Sequence, residues 1–207
     1  MTTSLFFLTE PDNERLNIRG SRDPLGLVPF WGHLGRKVVT NLTTASGSIR
    51  GFTTLLLGLY FAERVQDPDG DESKGRLHAF LKFEQLAGYV RWLMHGDDRL
   101  RGITRVQARC NDNRSALAIG ASPDEQILSD QRTYGLWGLY TTPSVASDLL
   151  ERADMRLTLA ARELVEGICL PQLRRSSRKA EDQILALIAR NRASVNPEGR
   201  ERELFDA

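Results

Sequence analysis

Hydrophobic positions along this chain recur mostly at helical spacing. Phe30, Leu34, Val38 and Leu42 follow one another at intervals of four, with Trp31 and Val39 beside them and Pro29 placed for a first turn. "TTASGS" ends that pattern. Apolar residues then cover nearly every side from about Ser48 to Val65, which predicts a centrally buried helix. "QDPDGDESKGR" reads as an exposed loop. From Leu77 to His95, Phe80, Phe83, Ala87, Val90 and Met94 form an inner stripe widened by Leu86, Tyr89 and Leu93, and Gly96 is placed to close the helix. A further helix is expected around Ile103 to Arg109.

Capping signals shape the second half. Ser122-Pro123-Asp124-Glu125 combines a capping hydroxyl, a first-turn proline and two acids, and predicts a helix reaching Leu139 or Tyr140. Thr142-Pro143 repeats the signal and predicts a helix to about Glu151. "DMRLT" is a short extended piece, and Thr158 caps a helix running to Leu170. The last patterned helix is Ala180 to Arg190, with Ile184, Leu185, Leu187 and Ile188 inward. "NRASVNPEGRERELFDA" reads as a polar tail. The expected fold is mainly α, a single compact helical domain. Its regions are 1–121 with an ordered strap over 19–37, a module over 122–175, and a C-terminal helix and tail over 176–207.

Totals add little direction. The 207 residues carry 28 Lys plus Arg against 27 Asp plus Glu, so the net charge of +1 announces no polyanionic or membrane partner. The longest apolar run, Gly51 to Ala62, is too short to span a bilayer. Cys110 and Cys169 are too few for a disulfide scaffold and read as free thiols in a reducing cytoplasm.

Chemistry-bearing motifs are sparse. His33, His78 and His95 are scattered, and no CxxC is present, so no metal or other cofactor is expected. "DPDGDES" begins like a calcium loop but places Glu72 where glycine belongs and His78 where a bidentate acid belongs. Neither a nucleophile elbow nor a phosphate-binding glycine loop occurs. "TTASGSIRG" puts small residues ahead of a helix and can cradle an anion, or simply break and cap a helix.

Two basic regions remain. In the strap, Arg22-Asp23-Pro24-Leu25-Gly26 is expected to form a turn. Arg19, Arg22, Asp23, His33, Arg36 and Lys37 surround the Phe30-Trp31 pair, as a packed segment or as a partner or anion surface. "LRRSSRK" concentrates Arg174, Arg175, Arg178 and Lys179, which suit phosphate or nucleic-acid contact or a solvated linker. "LLERADMRLTLAARELVE" resembles the stretch of winged-helix regulators where a second helix runs into a wing and a long helix. The presumed recognition helix, Pro143 to Glu151, however carries no basic residue.

"RGSRDPLGLVPFWGHLGRKVVTNLTT", "FLKFEQLAGYVRW" and "RTYGLWGLYTTPSVAS" resemble uncharacterised helical proteins encoded among bacterial phage-defence and DNA-modification genes. The resemblance implies a bacterial cytoplasmic setting beside nucleic-acid machinery, and it carries over no functional residue. The expected function is a non-catalytic helical subunit or adaptor of such a complex, with other protein subunits as partners. The alternatives are a DNA-binding protein using the winged-helix-like module and the 174–179 patch, or an enzyme acting on a phosphorylated substrate.

Overall fold

The computed structural model describes residues 26, 27, 30, 48–65, 70–97 and 99–205. The chain divides into two units, Met1–Thr40 and Asn41–Ala207. In the first unit, Gly26 adopts the positive φ (65°) that its turn-forming context predicts. Phe30 is 66% exposed, against the burial expected of it as an anchor. Leu27 is exposed too, and Trp31 and the other residues of the 19–37 strap lie outside the described residues.

The second unit is mainly helical. Helix α1 (Ile49–Ala62) packs against α2 (Glu72–His95). Glycine allows their close approach, because a Cβ on Gly58 would lie 2.6 Å from the Phe83 ring and 2.9 Å from the Phe80 ring. Phe61 stacks on Phe83 with centroids 5.8 Å apart. α2 starts five residues earlier than its apolar stripe suggests, because Asp71 caps it by accepting from the Lys74 N–H. Gly96, with φ 56°, closes it as expected.

The inner stripe of α2 is wider than its pattern. Ala79 through Leu86 are all buried, including Lys82, Glu84 and Gln85. Each polar member has a partner, which is what makes such burial tolerable. Lys82 Nζ donates to the Arg190 carbonyl at 2.5 Å, just beyond the end of a later helix. Gln85 makes two bonds to the Gly120 backbone, at 2.7 and 3.0 Å. Glu84 accepts from the Leu136 N–H at 2.7 Å and from Gln131 Nε2 at 2.8 Å.

After α3 (Ile103–Asp112) comes β1 (Leu117–Gly120), which pairs antiparallel with β2 (Arg192–Val195), Leu117 opposite Val195. The segment expected to be a polar tail therefore supplies a strand. It also supplies a last turn, α9 (Arg202–Phe205), whose Leu204 and Phe205 are buried.

Ser122-Pro123 opens turns rather than a helix. The carbonyls of Asp124, Glu125 and Gln126 bond to the Arg109 guanidinium at 2.8, 2.6 and 3.1 Å, leaving them unavailable to a helical ladder. Helix begins instead after Asp130, which caps the single turn α4 (Gln131–Tyr134). α5 (Leu136–Ala146) follows and contains Thr142 and Pro143 in its interior. The helix predicted over Pro143 to Glu151 is thus not formed. Asp148 adopts φ 54°, and the Asp148 and Leu149 N–H groups return to the Val145 and Ser144 carbonyls, which ends the helix.

Of "DMRLT", expected to be extended, only the end forms a bridge, Leu157 to Leu150; Asp154 lies in a turn and Met155 adopts a left-handed φ of 59°. Thr158 caps α6 (Leu159–Leu164) through the Ala161 N–H. The rod continues through a π-helical turn, Val165–Cys169, into α7 (Leu170–Ser176). Pro171 sits in the first turn of α7, where it cannot donate back to the preceding turn. The wider turn accommodates it, with the Leu170 N–H reaching back five residues to the Val165 carbonyl. α8 (Ala180–Ile188) buries Ile184, Leu187 and Ile188, with Leu185 half-buried.

Candidate functional site

The N-terminus of α1 meets the C-terminus of α2. Arg50 on α1 and Arg91 on α2 both bond to Asp97 Oδ2, at 3.3 and 2.6 Å, and the Arg99 N–H bonds to Oδ1 at 3.1 Å. Hydrogen bonding from Arg91, with help from the Arg99 N–H, pulls the Asp97 carboxyl down to about 2. Ser48, Arg50, Arg91, His95 and Arg99 line a cleft of about 1150 Å³ here. Among the described residues, three arginines face one carboxylate, so the cleft holds an excess of positive charge suited to an anion.

A second, apolar groove of about 390 Å³ adjoins it. Its walls are Leu57 of α1, Phe83, Leu86, Ala87 and Val90 of α2, Leu173 of α7, Ile184 of α8 and Leu204 of α9. Thr53, Thr54 and Arg91 line both the groove and the cleft. Cys169, the last residue of the π turn, is half-buried in the wall, and burial pushes its thiol pKa up.

The 174–179 patch is only partly available. Arg174 pairs with Glu181. Arg175, Arg178 and Lys179 are exposed and carry no ion pair among the described residues. Ser177 anchors the turn beneath them by donating to Glu203 at 3.0 Å and accepting from the Lys179 N–H. Arg19, Arg22, Asp23, Trp31, His33, Arg36 and Lys37 lie outside the described residues. Arg91 and Arg99 carried no sequence signal. Arg50 falls within "TTASGSIRG", the stretch whose helix start suggested an anion cradle.

Glu84, Gln85 and Gln131 are fully buried. Burial raises the Glu84 pKa to about 7 despite the opposing hydrogen bonds from Leu136 and Gln131. No substrate can reach this carboxylate, so the network organises the 120–136 segment rather than performing chemistry. Among the described residues, no group of three His, Cys, Asp or Glu side chains could hold a metal, and no helix is long and apolar enough to cross a membrane. Comparison with known proteins finds no matching family model, no matching curated protein and no matching solved structure.

Proposed function

We propose that this chain is a non-catalytic helical subunit or adaptor working by protein contact in a bacterial defence or DNA-processing complex. One observation supports this reading above others. The α6–α7 rod exposes three large aliphatic side chains, Leu159 at 74%, Leu164 at 40% and Ile168 at 57%. Leu164 and Ile168 are one turn apart. Single exposed aliphatics are ordinary, but several on one short rod suit a partner's apolar surface.

The test is co-purification of the full chain from its native host with the products of neighbouring genes. A double variant, Leu164→Glu with Ile168→Glu, should lose the partner while keeping its melting transition. A clean monomer under gentle conditions overturns the reading.

A second reading, DNA binding, is favoured by Arg175, Arg178 and Lys179, which are exposed and carry no ion pair among the described residues. Affinity should then fall steeply with salt as phosphate neutralisation releases counterions. Replacing Arg174, Arg175, Arg178 and Lys179 with glutamine should remove most of it, and unchanged affinity excludes this version.

A further inference from the structure

The apolar groove and the basic cleft share a boundary, and their characters are complementary halves of one kind of ligand. The groove is walled by side chains such as Leu57, Val90 and Leu173, and its volume of about 390 Å³ is that of a small-molecule pocket. Where it passes into the cleft, the lining changes to Thr53, Thr54 and Arg91, with Arg50 and Arg99 beyond.

Asp97 does not exhaust these cations. It occupies Nε and Nη2 of Arg91, leaving the other N–H donors of that guanidinium, and it touches Arg50 through a single Nη1 contact. The Arg50 side chain is 74% exposed. The hydroxyls of Thr53 and Thr54 donate to the Ile49 and Arg50 carbonyls, which leaves their oxygens able to accept a hydrogen bond.

We propose that groove and cleft together form one binding site for a small amphipathic carboxylate, with its linear apolar tail in the groove and its head on Arg50 and Arg91. The tail removes apolar surface from water on both ligand and wall. The head gains charge-assisted hydrogen bonds at the boundary. Cys169 lies against the tail and is a built-in reporter of occupancy.

Laurate, held below its micellar range, is the probe, and 1-dodecanol supplies the same tail without the charge. Calorimetry on the full chain should show laurate binding about tenfold tighter than dodecanol, the scale of one charge-assisted hydrogen bond. Arg50→Gln should remove that advantage and leave dodecanol binding unchanged. Ala87→Trp, which fills the groove, should abolish binding of both. Leu173→Trp serves the same purpose if the first variant fails to fold. Laurate should also slow labelling of Cys169 by a thiol reagent. Equal affinity for laurate and dodecanol, undiminished binding by a folded groove-filled variant, or unprotected Cys169 overturns the proposal.

Discussion

Gln131 Nε2 donates to Glu84 Oε2 at 2.8 Å across 47 residues of sequence, in a place no water reaches. The same amide nitrogen bonds to the Leu81 carbonyl at 2.9 Å, while Gln131 Oε1 accepts from Gln85 and from the Ile127 N–H. One glutamine thus ties the segment before α5 to little more than one turn of α2, Leu81 to Gln85, and it does so beside a carboxylate that resists ionisation.

That carboxylate makes stability pH-dependent. The Glu84 pKa rises from 4.5 to about 7 on folding, so the folded chain binds the proton more tightly. Its contribution is fully present below pH 4.5 and is lost as pH rises through about 7. The loss across this window should be about 3 kcal/mol. Urea unfolding at about pH 5 and about pH 8 should show it. Glu84→Gln, which cannot ionise, should remove that slope; an unchanged slope refutes the assignment.

Asp97 has the opposite sign. Its pKa falls from 3.8 to about 2, so its contribution is present above pH 3.8 and lost as pH falls through about 2. Asp97→Asn should cost about 1–2 kcal/mol at neutral pH, as expected for a hydrogen bond to a charged group. It should also flatten the acid limb of the melting profile in that window.

Gly58→Ala tests the closeness of α1 and α2. Alanine gains up to about 1 kcal/mol of helix propensity. The added Cβ, however, meets the Phe83 and Phe80 rings at 2.6 and 2.9 Å, and both rings are buried. Overpacking of about 1–3 kcal/mol should win, giving a lower melting temperature. A raised melting temperature would show that the rings can yield.

Phe205→Ala tests whether the last described turn belongs to the core. Phe205 is 3% exposed, and truncating a buried phenylalanine costs about 3–5 kcal/mol. Denaturant unfolding should register that loss. A cost of the size seen for surface substitutions would return residues 192–205 to the status of a tail.

The sequence disclosed what local signals determine. Thr158 and Gly96 marked helix ends because capping geometry is local, and the mainly helical class followed from spacing. β1 was invisible because "LAIG" is four residues long and finds its partner far along the chain, with Leu117 opposite Val195, 78 residues later. Ser122-Pro123 misled because a distant guanidinium, Arg109, takes the carbonyls a helix would use. Lys82, Glu84 and Gln85 gave no sign of burial, because each partner lies far along the chain. The cleft was half legible for the same reason: Arg50 stands at a helix start, whereas Arg91 and Arg99 join it only through Asp97.

The long reach of α2's polar bonds sets an order on the ribosome. When α2 emerges, Glu84 still awaits Leu136, which is 52 residues away, and Lys82 awaits Arg190, which is 108 residues away. Until those segments are synthesised, burying this face would strand a carboxylate and an ammonium in apolar surroundings. At about 5–20 residues per second, the wait lasts several seconds or more. The nascent helix therefore spends that interval wet on one side, and its charged side chains keep a premature core from closing around it.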